Sequence, residues 1–156
     1  MNIRGCRVIL REKSIDDAWN EYQWRSDPEL SELDAALPLT MSYKDFLKIF
    51  RGQLDRPTLW AKRISVDTVD GRYIGNCMYY DMDDYKKQTE IGIMIGDKNY
   101  WNSGYGTDSI KTLVKYLFDT TSVSRIYLHT LEWNKRAKTS FSKAGFTVFI
   151  AINTFL

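Results

Sequence analysis

The stretch Glu90-Ile91-Gly92-Ile93-Met94-Ile95 predicts a β-strand, and Gly104-Tyr105-Gly106-Thr107 predicts the beginning of the helix that follows it. Consecutive apolar positions are typical of a strand that is buried on both faces. A glycine-rich turn at the beginning of a helix presents backbone N–H groups without partners, together with the positive end of the helix dipole. This strand, loop and helix therefore predict a cradle for a phosphate or pyrophosphate group.

Two glycines separated by one residue are a weak signal on their own, because an ordinary tight turn produces the same pattern. A dinucleotide-binding fingerprint would place a third glycine at position 109, where this chain has Ser109. The Gly-Lys-Ser/Thr sequence of a P-loop is also absent from the chain. The neighbouring segments must therefore decide between a ligand cradle and a simple turn.

The periodicity along the chain predicts alternating strands and helices. Strands are predicted over residues 7–11, 59–66, 73–80, 90–95, 125–131 and 146–150. Helices are predicted over residues 15–25, after Asp27-Pro28, from Ser42 to about Gly52, from the glycine turn to about Asp119, and from Asn134 to Gly145. Asp70-Gly71 is a hairpin turn signal, so the three central strands are expected to be antiparallel.

The composition excludes several classes of protein. The 156 residues correspond to one domain and carry 22 basic and 20 acidic side chains, without the dense basic stripe that a nucleic-acid backbone requires. Cys6 and Cys77 do not form a Cys-x-x-Cys pair and His129 is the only histidine, so we expect no metal site and two reduced thiols. The sequence shows neither the apolar core of a signal peptide nor a membrane-spanning run, which favours a cytoplasmic protein.

Four separated segments form a pattern that is more specific than the glycines alone. They are Glu90-Ile91-Gly92-Ile93-Met94-Ile95, Tyr100-Trp101-Asn102-Ser103-Gly104-Tyr105-Gly106-Thr107, Asn134-Lys135-Arg136-Ala137 and Lys143-Ala144-Gly145-Phe146. In this order they resemble the GNAT family of N-acetyltransferases, and they are most similar to its ribosomal-protein (RimJ/RimL-type) and spermidine-type branch. Val8-Ile9-Leu10-Arg11 and Ser26-Asp27-Pro28 also resemble that branch.

The resemblance implies a mixed α/β fold in a single acyl-CoA N-acyltransferase domain over residues 1–156. Its central, mostly antiparallel sheet is expected to be flanked by helices and to splay between the fourth and fifth strands, leaving a V-shaped cleft for acetyl-CoA. The fourth strand, residues 90–95, would pair its backbone with the pantetheine amides. The loop over residues 101–107 would hold the pyrophosphate, because glycines let the backbone approach phosphate oxygens.

The cofactor-binding residues that the resemblance implies lie in these segments. They are Ile93, Met94, Ile95, Trp101, Asn102, Ser103, Gly104, Tyr105, Gly106, Thr107, Asn134, Ala137, Phe141 and Lys143. Asn134 serves either to bind pantetheine or to cap the helix that follows it. The basic side chains of this last helix either meet the phosphates or form a solvated face. They are Lys135, Arg136, Lys138 and Lys143.

Two positions depart from the family pattern. Trp101 stands where the family often has Gln or Arg, so a charged contact to phosphate is lost there. Phe141 stands where members often have a tyrosine that protonates the CoA thiolate. Phenylalanine has no proton to donate, so Phe141 is expected to pack against pantetheine or against the core.

Acetyl transfer to an amine needs a base, because an alkylammonium group has a pKa of roughly 10. Glu90 is the candidate base, since its spacing from Gly104 resembles that of the catalytic glutamate in histone-acetyltransferase members. The alternative is a strand-edge glutamate paired with Lys86 or Lys87. His129 is either a proton relay near the cleft or a packed strand residue. A backbone N–H of the same strand would stabilise the oxyanion.

Acidic side chains near the expected cleft would attract a cationic acceptor, such as a polyamine, an aminoglycoside-like compound or a protein N-terminus. They are Asp81, Asp83, Asp84, Glu29, Glu32 and Asp34. Acidic turn residues that only increase solubility fit the same pattern.

Two other functions fit parts of the sequence. A non-catalytic acyl-CoA-binding or regulatory domain would explain Phe141. A binding module for another phosphate compound or for a protein would use the aromatic surface, although the helical spacing of these residues also suits burial. The aromatic residues in question are Trp19, Tyr22, Trp24 and Trp60. The apolar segment over residues 147–156 predicts an open sheet edge and therefore a homodimer.

Overall fold

A six-stranded sheet runs through the computed structural model of the chain, which describes residues 1–148. Its strands are β1 (Asn2–Arg4), β2 (Val8–Glu12), β3 (Lys62–Thr68), β4 (Tyr73–Asp83), β5 (Gln88–Ile95) and β6 (Arg125–Tyr127). The helices are α1 (Ala18–Ser26), α2 (Pro28–Leu33), α3 (Tyr43–Asp55), α4 (Tyr105–Thr120) and α5 (Lys135–Lys143). The strands lie side by side in chain order, and all neighbours are antiparallel except β5 and β6. This arrangement confirms the predicted mixed α/β fold with a mostly antiparallel sheet.

The parallel pairing between β5 and β6 ends early. It begins with Gln88 opposite Arg125 and ends with Glu90 opposite Tyr127. Strand β5 continues to Ile95 and remains paired with β4 along that length. Over residues 91–95, one edge of β5 therefore meets no other strand within residues 1–148. The sequence predicted a split between its fourth and fifth strands. The structure has one additional strand, β1, before the first predicted one, so these two strands are β5 and β6. The sheet therefore splits at the predicted place.

The larger apolar core lies between the sheet and α4. The sheet contributes Val8, Leu10, Ile64, Val66, Cys77 and Ile91, and α4 contributes Ile110, Leu113 and Leu117, all at most 2% exposed. The three α4 residues recur at the spacing of one helix face, so their burial holds this helix against the sheet. The beginning of α4 is thereby fixed next to the end of β5.

On the opposite face of the sheet, α1 and α3 pack together through Ala18, Phe46 and Phe50. Buried charges connect this layer to the strands. Glu21 of α1 is 1% exposed; its carboxylate lies 2.9 Å from Nζ of the buried Lys13 and also pairs with Arg63. Removing these charges from water is costly, so their mutual attraction has to compensate for the lost hydration.

A second, partly buried ion pair holds the beginning of α1. The Arg11 guanidinium donates two hydrogen bonds to Asp17, at 2.8 and 2.9 Å, and a third to Asp67 at 2.7 Å. Burial alone would raise the pKa of Asp17, but hydrogen bonds from Arg11 and from the backbone of Ser14 keep it below its usual range. Ser14 and Asp17 also form a reciprocal capping box. The predicted helix over residues 15–25 therefore starts as a 3-10 turn over Ile15–Asp17, followed by α1.

Other element boundaries also differ from the prediction, each for a physical reason. Strand β1 is only three residues long and pairs only with β2, so it leaves no periodic pattern in the sequence. Helix α3 continues past Gly52, because a helical glycine costs only about 1 kcal/mol and Leu54 beyond it packs on the α1–α3 core. Strand β6 ends at Tyr127, where β5 diverges from it.

The end of the chain bears on two further predictions. Residues 146–148 are not in a strand, and the rest of the predicted strand over residues 146–150 lies outside the described residues. Most of the segment over residues 147–156, on which the homodimer prediction depends, lies outside them as well. Within residues 1–148, no helix combines the length and the apolar character that a bilayer-spanning segment needs.

The buried pair at Glu21 predicts a large loss of stability in Glu21→Gln. The substitution leaves Lys13 buried without its ion-pair partner, so the free energy of unfolding should fall by about 3 to 5 kcal/mol. The matched control is Glu29→Gln, which removes an exposed carboxylate and should leave the urea midpoint close to that of the parent. Equal midpoints for the two variants in urea denaturation would show that the Glu21 pair contributes little.

Candidate active site

A cavity of about 780 Å³ opens beside the split between β5 and β6. Its walls come from the end of β5, the loop before α4, the first turns of α4, one side of α5, the end of α2 and the turn between β1 and β2. The sequence-predicted binding residues that line it are Ile93, Met94, Ile95, Trp101, Asn102, Gly104, Gly106, Thr107, Asn134, Ala137, Phe141 and Lys143. The fold thus brings three distant segments of the chain to one space.

Ser103 and Tyr105, which were predicted to bind the cofactor, do not line this cavity. The Ser103 hydroxyl donates a hydrogen bond to the backbone carbonyl of Trp101 at 3.1 Å. The Tyr105 ring packs edge-on against Tyr100, with 5.1 Å between the ring centroids. In this structure, both side chains shape the loop from outside the cavity.

The loop before α4 has an unusual backbone. Asn102 and Gly104 both have positive φ angles, 57° and 86°, in the left-handed region that glycine and asparagine adopt most readily. Gly104 is the N-cap residue of α4, and no side chain caps this helix. The first N–H groups of α4 therefore remain available at the cavity, as the glycine turn predicted.

Trp101 is held in this loop by one contact at the edge of its ring and another over its face. Its indole N–H donates a hydrogen bond to the Ile95 carbonyl at 2.7 Å. The Arg136 guanidinium of α5 stacks over the ring, 3.4 Å from the centroid. Burial lowers the pKa of Arg136 from its ordinary value, but an arginine stays protonated near neutral pH. Arg136 of α5 thus places a positive charge at the Trp101 position, where the sequence predicted that a charge was missing.

Positive charge predominates around the loop. The cationic side chains that line the cavity are Arg7, Lys111, Lys135, Arg136 and Lys143. Asp108 also lines it, but its carboxylate already accepts hydrogen bonds from the backbone N–H groups of residues 6–8, at 2.7 to 3.2 Å. This end of the cavity is suited to an anion with several negative charges.

Asn134 and Phe141 of the last helical segment lie on the opposite wall. The Asn134 side chain accepts a hydrogen bond from the N–H of Ala137 at 3.2 Å and donates one to the Leu33 carbonyl at 3.5 Å. It therefore caps α5 and links it to α2. Phe141 is 9% exposed and belongs to the core on α4.

Glu90 does not line the cavity, and its carboxylate is buried. Side chains alternate along a strand, so Glu90 and Met94 share the face of β5 opposite to that of Ile91. Oε1 of Glu90 lies 2.5 Å from Nδ1 of His129. The predicted alternative partners, Lys86 and Lys87, form no ion pair with Glu90 within residues 1–148.

The acidic residues that the sequence predicted near the cleft have different environments. Asp34 lies on the cavity wall with Leu30 and Leu33 of α2, whereas Glu29 is paired with Lys98. The turn carboxylate Asp83 accepts hydrogen bonds from two backbone N–H groups at 3.0 and 2.9 Å, which is a structural role in the turn.

Several lining residues had no signal in the sequence. They are Cys6, Arg7, Leu30, Leu33, Asp108, Lys111, Thr139 and Ser140. The wall formed by the β1–β2 turn depends on β1, whose short strand the periodicity did not reveal. Only Asp108 follows a local rule, because an acidic residue in the first turn of a helix is favourable.

The chain matches the family model described as an acetyltransferase (GNAT) domain over residues 7–147. It is 28% identical over 127 residues to "Uncharacterized N-acetyltransferase p20" of Bacillus licheniformis, an alignment that covers 77% of this chain and 67% of that protein.

Two solved acetyltransferase structures have a similar fold. Spermidine N-acetyltransferase from Vibrio cholerae in complex with CoA and spermine gives a TM-score of 0.77 at 17% identity, with 88% of this chain and 79% of that chain covered. The microcin C7 self-immunity acetyltransferase MccE in complex with acetyl-CoA and AMP gives a TM-score of 0.75 at 18% identity, with 91% and 79% covered. The family match extends over nearly all the described residues, and this protein therefore belongs to the GNAT family of acetyltransferases.

Proposed function

We propose that this chain, as one acyl-CoA N-acyltransferase domain, transfers an acetyl group from acetyl-CoA to a primary amine of a small molecule or of a protein N-terminus. The amine would attack the thioester directly in a ternary complex. Within the family, we assign the chain to the ribosomal-protein and spermidine-type branch. The observation that carries this proposal is a single cavity that joins a cationic glycine loop to the unpaired edge of β5.

The loop end of the cavity suits the pyrophosphate of CoA. The uncapped N–H groups of α4 and the positive end of its dipole favour an anion. Arg136 adds a fixed positive charge, because its guanidinium stacks on Trp101 and forms no ion pair within residues 1–148. This cation would take the place of the charged loop residue that other family members have at the Trp101 position.

The edge of β5 suits the pantetheine arm. Residues 91–95 have strand partners on the β4 side only, and an extended ligand with amide groups pairs with such an edge as an added strand would. From Ile95 back to Glu90 the strand rises by roughly 16 Å. An arm that follows this edge from the loop brings the thioester toward Glu90, where the strands separate.

The chemistry at that end needs three groups. A backbone N–H of residues 91–93 would stabilise the oxyanion that forms on the acetyl carbonyl. The Glu90–His129 pair would accept the proton of the amine. The CoA thiol has a pKa of roughly 8.5, as thiols do, so it can leave as a thiolate without a tyrosine at the Phe141 position.

A cationic amine suits the charge of the acceptor side. Asp34 lies on the cavity wall, and Glu90 lies outside the cavity where the pairing of β5 with β6 ends; both carboxylates would attract such a group. The Vibrio cholerae spermidine N-acetyltransferase was solved with spermine, which is a polyamine. Polyamines are therefore the first acceptors to test, followed by peptides with a free N-terminus.

A second candidate function is supported by Phe141, which has no proton to donate. A non-catalytic acyl-CoA-binding domain would bind acetyl-CoA equally well and would release no CoA with any amine. The release of CoA thiol from acetyl-CoA in the presence of spermine separates the two candidates.

The cofactor assignment predicts a thermal shift with acetyl-CoA. A ligand that binds only the native state stabilises it by about 2.7 kcal/mol at 100 times its Kd, so the melting temperature should rise and saturate. ADP lacks pantetheine and should produce a smaller shift. No repeatable shift with acetyl-CoA, checked by calorimetry, would overturn the proposed function.

Gly106→Val tests the same site by changing the protein instead of the ligand. A Cβ at Gly106 has no neighbour closer than 3.8 Å, so the variant should fold, yet its side chain would occupy the space of the ligand. We expect a loss of acetyl-CoA affinity of at least about tenfold. Gly52→Val in α3 is the control for valine in a helix, since nothing lies within 4 Å of a Cβ there. Unchanged affinity in Gly106→Val would place the ligand elsewhere.

The stacked arginine predicts a specific loss of affinity in Arg136→Ala. Removing a charged hydrogen-bond donor from a phosphate should weaken acetyl-CoA binding by about 10-fold to 100-fold. Lys138→Ala is the control, because Lys138 lies on the same helix but outside the cavity, with Nζ bound to the Glu132 carbonyl at 3.2 Å. Calorimetric titrations that give equal losses in both variants would indicate a general effect of surface charge.

A further inference from the structure

The single histidine of the chain and the buried Glu90 form a pair with very different access to solvent. Nδ1 of His129 lies 2.5 Å from Oε1 of Glu90. The His129 side chain is 79% exposed, whereas that of Glu90 is 11% exposed. An amine that arrives from solvent therefore meets the imidazole before the carboxylate.

The hydrogen bond determines which ring nitrogen is free. A carboxylate in its ionised form only accepts hydrogen bonds, so Nδ1 of His129 is the donor whenever Glu90 carries its charge. In the neutral ring the lone pair then lies on Nε2, on the side of the imidazole away from Glu90. Glu90 thus selects the tautomer in which Nε2 can accept a proton.

The pair lies where the thioester is expected. Glu90 and Tyr127 are the last partners of the β5–β6 pairing, so the strands separate directly beyond them. The Tyr127 ring meets the His129 ring edge-on, with the centroids 5.9 Å apart and the planes at 90°. This contact restricts the orientation of the imidazole at the inner end of the split.

The other titratable groups around the pair do not compete as bases. Tyr80 faces Glu90 from β4, and Tyr127 faces it from β6. Burial, followed by the nearby Glu90, raises the pKa of both phenols above the ordinary value, so both stay protonated near neutral pH. The remaining charged groups that act on Tyr127 are Asp81 and Asp83 of β4 and Arg125 of β6. None of these carboxylates lies as close to the imidazole as Glu90 does.

We propose that Nε2 of His129 is the general base for the attacking amine and that Glu90 is its positioning residue; this assignment rests on the N-acetyltransferase function proposed above. The neutral amine forms a bond to the thioester carbon, and its proton passes to Nε2. The carbon–sulfur bond breaks and the electron pair leaves with the thiolate. His129 then returns the proton to sulfur, so an amide and free CoA thiol are the products.

Three substitutions at the pair and one control test the assignment with acetyl-CoA and spermine. His129→Gln should lower kcat by about 100-fold or more, the contribution of a positioned base, with the Kd of acetyl-CoA unchanged. It should also remove the acidic limb of the kcat/KM profile, which reports the protonation of the essential base in the free enzyme. Glu132→Gln removes an exposed carboxylate three residues from His129 and should behave as the parent.

Glu90→Gln should change the tautomer of His129 as well as kcat, because Glu90 acts through the imidazole. The ring nitrogens of a lone histidine are directly observable by 15N NMR, and the parent should show the Nδ1–H tautomer. Glu90→Gln should lose this preference together with most of kcat, and Glu90→Asp should recover part of both. A residue with a purely structural role would not change the tautomer.

The possible results separate this inference from the proposed function. Turnover that survives in His129→Gln but not in Glu90→Gln makes Glu90 the base and overturns the inference alone. A parent with the Nε2–H tautomer overturns it as well. A parent that binds acetyl-CoA but releases no CoA with spermine or with peptide N-termini overturns both the base and the transferase, whereas loss of acetyl-CoA binding in His129→Gln would make His129 a binding residue.

Discussion

The early end of the pairing between β5 and β6 is the constraint on which the site depends. Backbone N–H and C=O groups inside a fold need partners, and residues 91–95 of β5 have strand partners on one side only. Trp101 provides a substitute at one end, because its indole N–H donates to the Ile95 carbonyl. Residues 93–95 of this edge line the cavity, where the proposed pantetheine arm would pair with the backbone as a strand does.

The split stays open because the elements around it are fixed independently of each other. The Asp108 carboxylate on α4 accepts hydrogen bonds from the backbone N–H groups of residues 6–8. These bonds hold the β1–β2 turn against the beginning of the helix. Close packing fixes the opposite face: a Cβ at Gly96 would lie 2.0 Å from the Trp24 ring, so α1 rests directly on the end of β5. Neither contact crosses the gap between β5 and β6.

The sequence predicted the parts of the site that follow local rules. The glycine turn and the cap at Asn134 were visible because both depend on residues a few positions apart. The stacking of Arg136 on Trp101 and the hydrogen bond of His129 to Glu90 join positions 35 and 39 residues apart. Such pairs depend on how the strands and helices are arranged, and periodicity contains no information about them. Charge at the Trp101 position was therefore expected to be missing, although α5 supplies it.

Strand β5 contributes to the apolar core, to the cavity wall and to the Glu90–His129 pair, and its register keeps the core and the pair on opposite faces of the sheet. Its isoleucines face α4, whereas Glu90 and Met94 face the layer of α1 and α2. Between Tyr80 and Asp83, β4 carries one residue more than β5 does, and Asp81 there has a φ of 51°. A bulge of this kind pins the register, because the extra residue has only one place in the ladder. A slip of one residue would turn Glu90 into the apolar core, so the bulge beyond the end of the cavity keeps the Glu90 side chain on the face of the sheet opposite to that core.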